Sequence, residues 1–128
     1  MSVELFTSDQ ASNWFQRGDQ QLFLADVLDE QSGAAMSVGF ARYGKGETNP
    51  WTMAYDEALI ITRGAFTVRT AEGSVTARAG EVIYLRSGVD VVYAADEETE
   101  LVYVTHPHWL AATGRSPYAD RLGEFQPV

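Results

Sequence analysis

The sequence predicts an all-β protein, a sandwich or barrel of short strands. Runs rich in Val, Ile, Tyr, Phe and Thr recur along most of the 128 residues, and the connections between them are short and punctuated by glycine. Helical periodicity is sparse. One domain over residues 1–128 is expected, with a core at about 21–108 and a C-terminal arm at 109–128.

Taken in order, Ser8 is placed to cap a short helical turn over 9–15. Strands are predicted near 21–29 and 36–43, followed by an irregular connection at 44–50 that is rich in Gly, Asn and Pro. Further strands are expected near 57–62, 65–70, 74–78, 81–85, 89–94 and 99–106. Glu72-Gly73 supplies the hairpin turn between two of them, because glycine accepts the positive φ such turns require. Arg63-Gly64, Ala79-Gly80 and Ser87-Gly88 punctuate the neighbouring connections. Residues 109–113 are expected to form a second short helix before Gly114. The last fifteen residues, with Gly114, Pro117, Gly123 and Pro127, read as an extended arm whose Tyr118, Leu122 and Phe125 pack on the barrel or on a second subunit.

Composition excludes several classes. With 18 acidic and 9 basic residues the net charge is −9, which repels nucleic-acid backbones and anionic membrane surfaces. The run Asp96-Glu97-Glu98 with Glu100 reads as a solvated turn. The absence of cysteine removes both disulfides and a thiol nucleophile. The start, Met-Ser-Val-Glu, lacks a basic n-region and an apolar h-region, and no apolar run reaches membrane-spanning length, so a cytoplasmic protein is expected.

The stretch Trp51-Thr-Met-Ala-Tyr-Asp-Glu57, followed six residues later by Gly64, carries the most chemistry. It resembles the first motif of the cupins, in which two histidines one residue apart precede a glutamate and a glycine. Glu57 and Gly64 fit that frame, whereas the histidine positions fall on Trp51 and Met53, which do not ligate a divalent ion as imidazole does. Gly80-Glu-Val-Ile-Tyr-Leu-Arg-Ser-Gly88 resembles the second motif, with Arg86 in place of its proline and Val91 in place of its histidine. The resemblance implies a double-stranded β-helix, or jelly-roll, barrel. No metal and no other cofactor is expected, with a non-standard metal site as the alternative.

Alternation along a strand puts Trp51, Met53, Tyr55, Leu59 and Ile61 on the same side as Glu57; the resemblance to the second motif implies that Val91 faces inward, which brings Val89 and Tyr93 to the same lumen. A solitary acid among aromatic and aliphatic groups has its pKa raised by desolvation. Glu57 therefore reads either as a ligand-binding acid or as a structural carboxylate hydrogen-bonded to Tyr55 or a backbone amide. Trp51, Tyr55, Tyr84, Tyr93 and Tyr103 either fill the barrel or line a pocket whose ring faces favour an amine. Trp51, Met53, Tyr55, Asp56, Glu57, Tyr84, Arg86, Val91, Tyr93 and Tyr103 are thus the expected ligand-binding residues, with Arg86 at the mouth. If there is catalysis, Glu57 is the acid or base and Tyr55 the donor that orients it. Asp56 has the opposite parity and is a secondary candidate.

Pro50-Trp51-Thr52, Tyr55-Asp56-Glu57, Gly64, Ala79-Gly80-Glu81-Val82-Ile83 and Leu101-Val102-Tyr103-Val104 before Pro107 and Trp109, with Gly39-Phe40 also in place, resemble the cupin domain of the ethanolamine-utilisation protein Q family, EutQ. That family also lacks the cupin histidines. The resemblance implies a homodimer, an association with ethanolamine catabolism and an attributed acetate kinase activity. Arg86 and Arg63 depart from the family pattern, and the N-terminal region of its longer members is not expected here.

Gly39 to Lys45 imitates the first seven positions of a P-loop, but Gly46 stands where Ser or Thr is needed and no helix is expected to follow. A kinase would have to draw phosphate contacts from scattered residues such as Lys45, Arg63 or Arg86. His106-Pro107-His108 reads as a polar strand terminus, with metal binding as the alternative. No Ser or Thr has a histidine partner in a recognisable acyl-transfer motif. The function expected is small-molecule binding in the lumen, the alternatives being acetate kinase-like phosphoryl transfer and a non-catalytic assembly module.

Overall fold

The computed structural model describes residues 2–128; Met1, the first residue of the expected domain, lies outside them. Eleven strands run through the described residues: β1 (Phe15–Arg17), β2 (Leu22–Leu28), β3 (Ser37–Tyr43), β4 (Thr48–Thr52), β5 (Asp56–Arg63), β6 (Ala65–Thr70), β7 (Gly73–Arg78), β8 (Val82–Leu85), β9 (Asp90–Ala95), β10 (Thr99–His106) and β11 (Phe125–Pro127). They form two antiparallel sheets, in the orders β11-β1-β2-β3-β10-β5-β8 and β4-β9-β6-β7. Period-two burial explains their packing. In β3, β5 and β10 buried and half-buried residues alternate, and Ala41, Tyr43, Leu59, Ile61, Leu101 and Tyr103 turn inward. Phe66, Val68, Val91 and Tyr93 meet them from the smaller sheet.

This is the cupin jelly roll, with one correction: the two sheets face each other as a sandwich and do not close into a hydrogen-bonded barrel. Pro50, paired with Val92 inside β4, has no N–H to offer a further strand and keeps β4 at its sheet's edge. Gly64 makes the β5–β6 turn at φ +89°, where a Cβ would stand 2.2 Å from the Glu98 carbonyl oxygen.

Three strands went unread in the sequence. β4 begins within the stretch expected to be irregular, while β1 and β11 span three residues each, too few to display a period. At the N-terminus only a 3-10 turn over Ser8–Gln10 forms, with Thr7 in place of Ser8 at its cap and no capping side chain. The C-terminal segment is not an extended arm. A helix, α1 (Trp109–Gly114), and a 3-10 turn (Ala119–Glu124) bring it back so that β11 pairs with β1, while Arg17 grips Glu124 at 2.7 Å. Phe125 enters this chain's own core, Leu122 packs partly buried against it, and Tyr118 stays exposed. The P-loop imitation is β3 and the turn after it.

Candidate functional site

Between the sheets lies a chamber of about 40 Å³, walled by Tyr43, Trp51, Tyr55, Phe66, Tyr93, Tyr103, Trp109 and Phe125 together with Leu24, Ala41, Leu59 and Leu101. Its two non-aromatic polar walls are Glu57 and Asn49. At roughly 10–15 Å³ per water position the space corresponds to about three waters, far below the ~150 Å³ that admits benzene.

The polar groups arrive from both sheets and from the crossing between them. The chain leaves the smaller sheet after β4, crosses through Met53 and Tyr55, and enters the larger sheet at β5. Trp51 and Glu57 therefore face each other from opposite sheets, although simple alternation had placed them on one wall. Trp51 Nε1 donates to Tyr55 Oη at 2.9 Å, and Tyr93 Oη donates to Glu57 Oε1 at 2.6 Å. Trp51, Trp109 and Phe125 meet edge to face, with centroids 5.8 to 6.3 Å apart, and form one side of the chamber.

Glu57 is buried, and desolvation pushes its carboxyl up to about 7 from 4.5, only partly opposed by the hydrogen bond from Tyr93. Burial likewise raises the phenols of Tyr43, Tyr55, Tyr93 and Tyr103, so they remain neutral and act as hydroxyl donors and acceptors. A second acid, Asp26 on β2, accepts from Tyr103 Oη and, at 3.0 Å, from Trp109 Nε1. Desolvation raises its pKa against those two bonds.

Of the expected site residues, Trp51, Tyr55, Glu57, Tyr93 and Tyr103 share the chamber. Met53 and Val91 are buried beside it and do not line it; Tyr93 Oη lies 3.3 Å from Met53 Sδ. Asp56, Tyr84 and Arg86 belong to the outer face. There Tyr84 and the Ser87 N–H donate to Asp56 and hold its carboxyl below the ordinary value, and the Arg86 guanidinium sits 5.5 Å from the Tyr84 ring. Arg86 does not guard the chamber. Tyr84, expected inside as one of the aromatics, is outside because its β8 neighbours Ile83 and Leu85 take the buried positions. Val89 precedes β9 and is exposed. The donor that orients Glu57 is Tyr93; the phenol of Tyr55 is engaged by Trp51. Tyr43, Asn49, Phe66, Trp109 and Phe125 were missed. For Asn49 a signal existed, since Asn49 and Trp51 share one parity in Thr-Asn-Pro-Trp-Thr.

A cupin metal ion does not fit these residues. One carboxylate, no imidazole and neutral phenols surround the chamber, and among the described residues no group of three or more His, Cys, Asp or Glu is placed to hold an ion. His106 is exposed, and both ring nitrogens of His108 are engaged at 2.8 Å, Nε2–H donating to the Ala34 carbonyl and Nδ1 accepting from Ser37 Oγ.

The family model described as Ethanolamine utilisation protein EutQ matches residues 2–111. The acetate kinase EutQ of Salmonella typhimurium LT2 is 30% identical over 84 residues, 66% of this chain and 36% of that protein. The chain spans about a third to a half of the length of the curated relatives it matches. The crystal structure of an ethanolamine utilization protein Q from the same Salmonella strain is similar with a TM-score of 0.67 at 28% identity, covering 73% of this chain and 79% of that one. A protein of unknown function from Rhizobium leguminosarum bv. viciae 3841 gives a TM-score of 0.70 at 31% identity, covering 84% of this chain and 100% of that one.

Proposed function

The chain belongs to the EutQ family, and from that premise we propose that its chamber binds a small organic amine as the cation, with Glu57 as counter-charge and acid–base group. The carrying observation is the buried Glu57 carboxylate, raised to about 7, in a chamber that no Lys, Arg or His lines. An ammonium supplies what that site lacks: a positive charge and several N–H donors, against ring faces that attract cations. A carboxylate or phosphate would meet a like charge there. Ethanolamine, the compound in the family's description, is an amine of this kind. The same residues support binding without a metal ion.

The test is calorimetric titration with ethanolamine and with acetate at pH 8. Ethanolamine is expected to bind, and Glu57→Gln to weaken it by about 100-fold or more, since a buried charge-assisted pair is lost. Near pH 7 the binding releases protons, as the incoming cation drives Glu57 to ionise. Binding of acetate in preference to ethanolamine would defeat the proposal.

The name of the Salmonella relative favours a second reading, transfer of the terminal phosphoryl group of ATP to acetate, giving acetyl phosphate and ADP. Such a site would need arginines from the outer surface, because the chamber holds no cation for phosphate. Acetyl phosphate formation by the purified chain that disappears in Glu57→Gln would establish it.

A further inference from the structure

We propose that Asn49 is a specificity-determining residue that holds a hydroxyl at the far end of the amine, so that the chamber selects a two-carbon amino alcohol over a simple alkylamine. The inference rests on the amine reading of the chamber and adds to it a second point of recognition.

Asn49 is 4% exposed and lines the chamber from β4, yet its Oδ1 has no hydrogen-bond partner among the described residues. A buried amide oxygen left unpaired is costly, by about as much as an ordinary hydrogen bond contributes or more, so such atoms are normally satisfied. Tyr43 lines the same chamber, and Asn49 works against the rise that burial imposes on its phenol. With the amide as placed, the oxygen is the end without a partner. The missing partner is therefore a group able to donate to that oxygen. A hydroxyl does so, whereas a carboxylate only accepts, and the ammonium is held at Glu57.

Size restricts what links that hydroxyl to the ammonium at Glu57. Space for about three water positions accommodates a chain of three or four heavy atoms. Two carbons with one polar group at each end fill it, and the apolar middle of such a molecule meets Leu59, Phe66 and Leu101. Asn49 and Glu57 lie on opposite sheets, so a molecule with polar groups at both ends bridges the sandwich.

The test compares ethanolamine with ethylamine, which has the same carbon count and no hydroxyl, on the full chain at pH 8. The native protein is expected to bind ethanolamine about tenfold more tightly, the ratio for a hydroxyl whose protein partner is otherwise left unpaired. In Asn49→Val the ratio of the two affinities should fall to about one, with a cooperative urea transition showing that the variant folds. Asn49→Thr, which returns a hydroxyl to the same strand position, should restore part of the preference. Equal binding of the two amines by the native protein would overturn the role of Asn49, its amide then being satisfied by water, and would leave the amine site standing. Failure of both amines to bind, with no response to Glu57→Gln, would remove the amine site and this inference with it.

Discussion

Glu57→Gln is expected to make the unliganded protein more stable at neutral and alkaline pH while leaving it unchanged near pH 4. The sign follows from where the proton sits in each state. Below 4.5 the carboxyl is protonated whether the chain is folded or not, and it contributes nothing to the pH dependence. Between 4.5 and about 7 the unfolded chain gives up this proton and the folded chain keeps it, so stability falls as pH rises through that window. Above about 7 both states are ionised and the loss is complete. The interval corresponds to roughly 3 kcal/mol, at about 1.4 kcal/mol for each pH unit.

Glutamine has the shape of the protonated acid and can still accept from Tyr93, so the variant should match the native protein at pH 4 and exceed it by about 3 kcal/mol at pH 8. Urea midpoints at the two pH values measure this difference, with an unchanged m-value to show that the unfolded ensemble is the same. Parallel pH curves for the two proteins would mean that Glu57 is well solvated in the native state. The destabilisation has a functional counterpart. Where a cupin metal site would gather histidines around its glutamate, this chain has Trp51, Met53 and Val91, yet Glu57 remains. A buried negative charge without its customary cation stores free energy that an organic cation can release, and saturating ethanolamine should remove the stability gap between the native protein and the variant at pH 8.

How much of this was legible depended on range. Strands with strict alternation, such as β5 and β10, announced themselves locally, and Gly64 marked the turn after β5. β1 and β11 exist because they pair with each other across the length of the chain, and three residues carry no periodicity to reveal that. Glu57 was found by its place in the motif, but its partner Tyr93 comes from the opposite sheet, so Tyr55, nearer in sequence, took that role in the reading. Tyr84 and Arg86 were misplaced for a similar reason: an aromatic in a strand looks inward until its neighbours Ile83 and Leu85 are seen to occupy the buried side. Asn49 lay in a stretch whose Gly, Asn and Pro suggested an irregular connection, although Pro50 on an edge strand is compatible with a ladder.

Gly39→Ala is expected to be among the most damaging single methyl groups that can be added to this protein. Asp26, Gly39 and Tyr103 are direct cross-strand neighbours on β2, β3 and β10, and the Tyr103 ring lies across the bare glycine to reach the Asp26 carboxylate. A Cβ at Gly39 would stand 2.2 Å from Tyr103 Cζ and Oη and 2.6 Å from the Ala25 carbonyl oxygen. Backbone on one side and a buried ring on the other leave little room to yield. Overpacking of this kind costs about 1–3 kcal/mol, and displacing Tyr103 also strands its buried hydroxyl and takes one of two side-chain donors from the half-buried Asp26, at about 1–3 kcal/mol, so a total of roughly 3–5 kcal/mol is expected. For a chain of this size that lowers Tm by roughly 10–20 °C. Asp26 also holds Trp109 Nε1, and Trp109 packs against Trp51 and Phe125, so the damage should reach the chamber wall and weaken ethanolamine binding along with stability. Shortening the ring by Tyr103→Leu removes the clash, and the double variant should then be at least about 1 kcal/mol more stable than the two single losses predict when summed. Simple additivity in that cycle would mean that the glycine is required for some reason other than the passage of Tyr103.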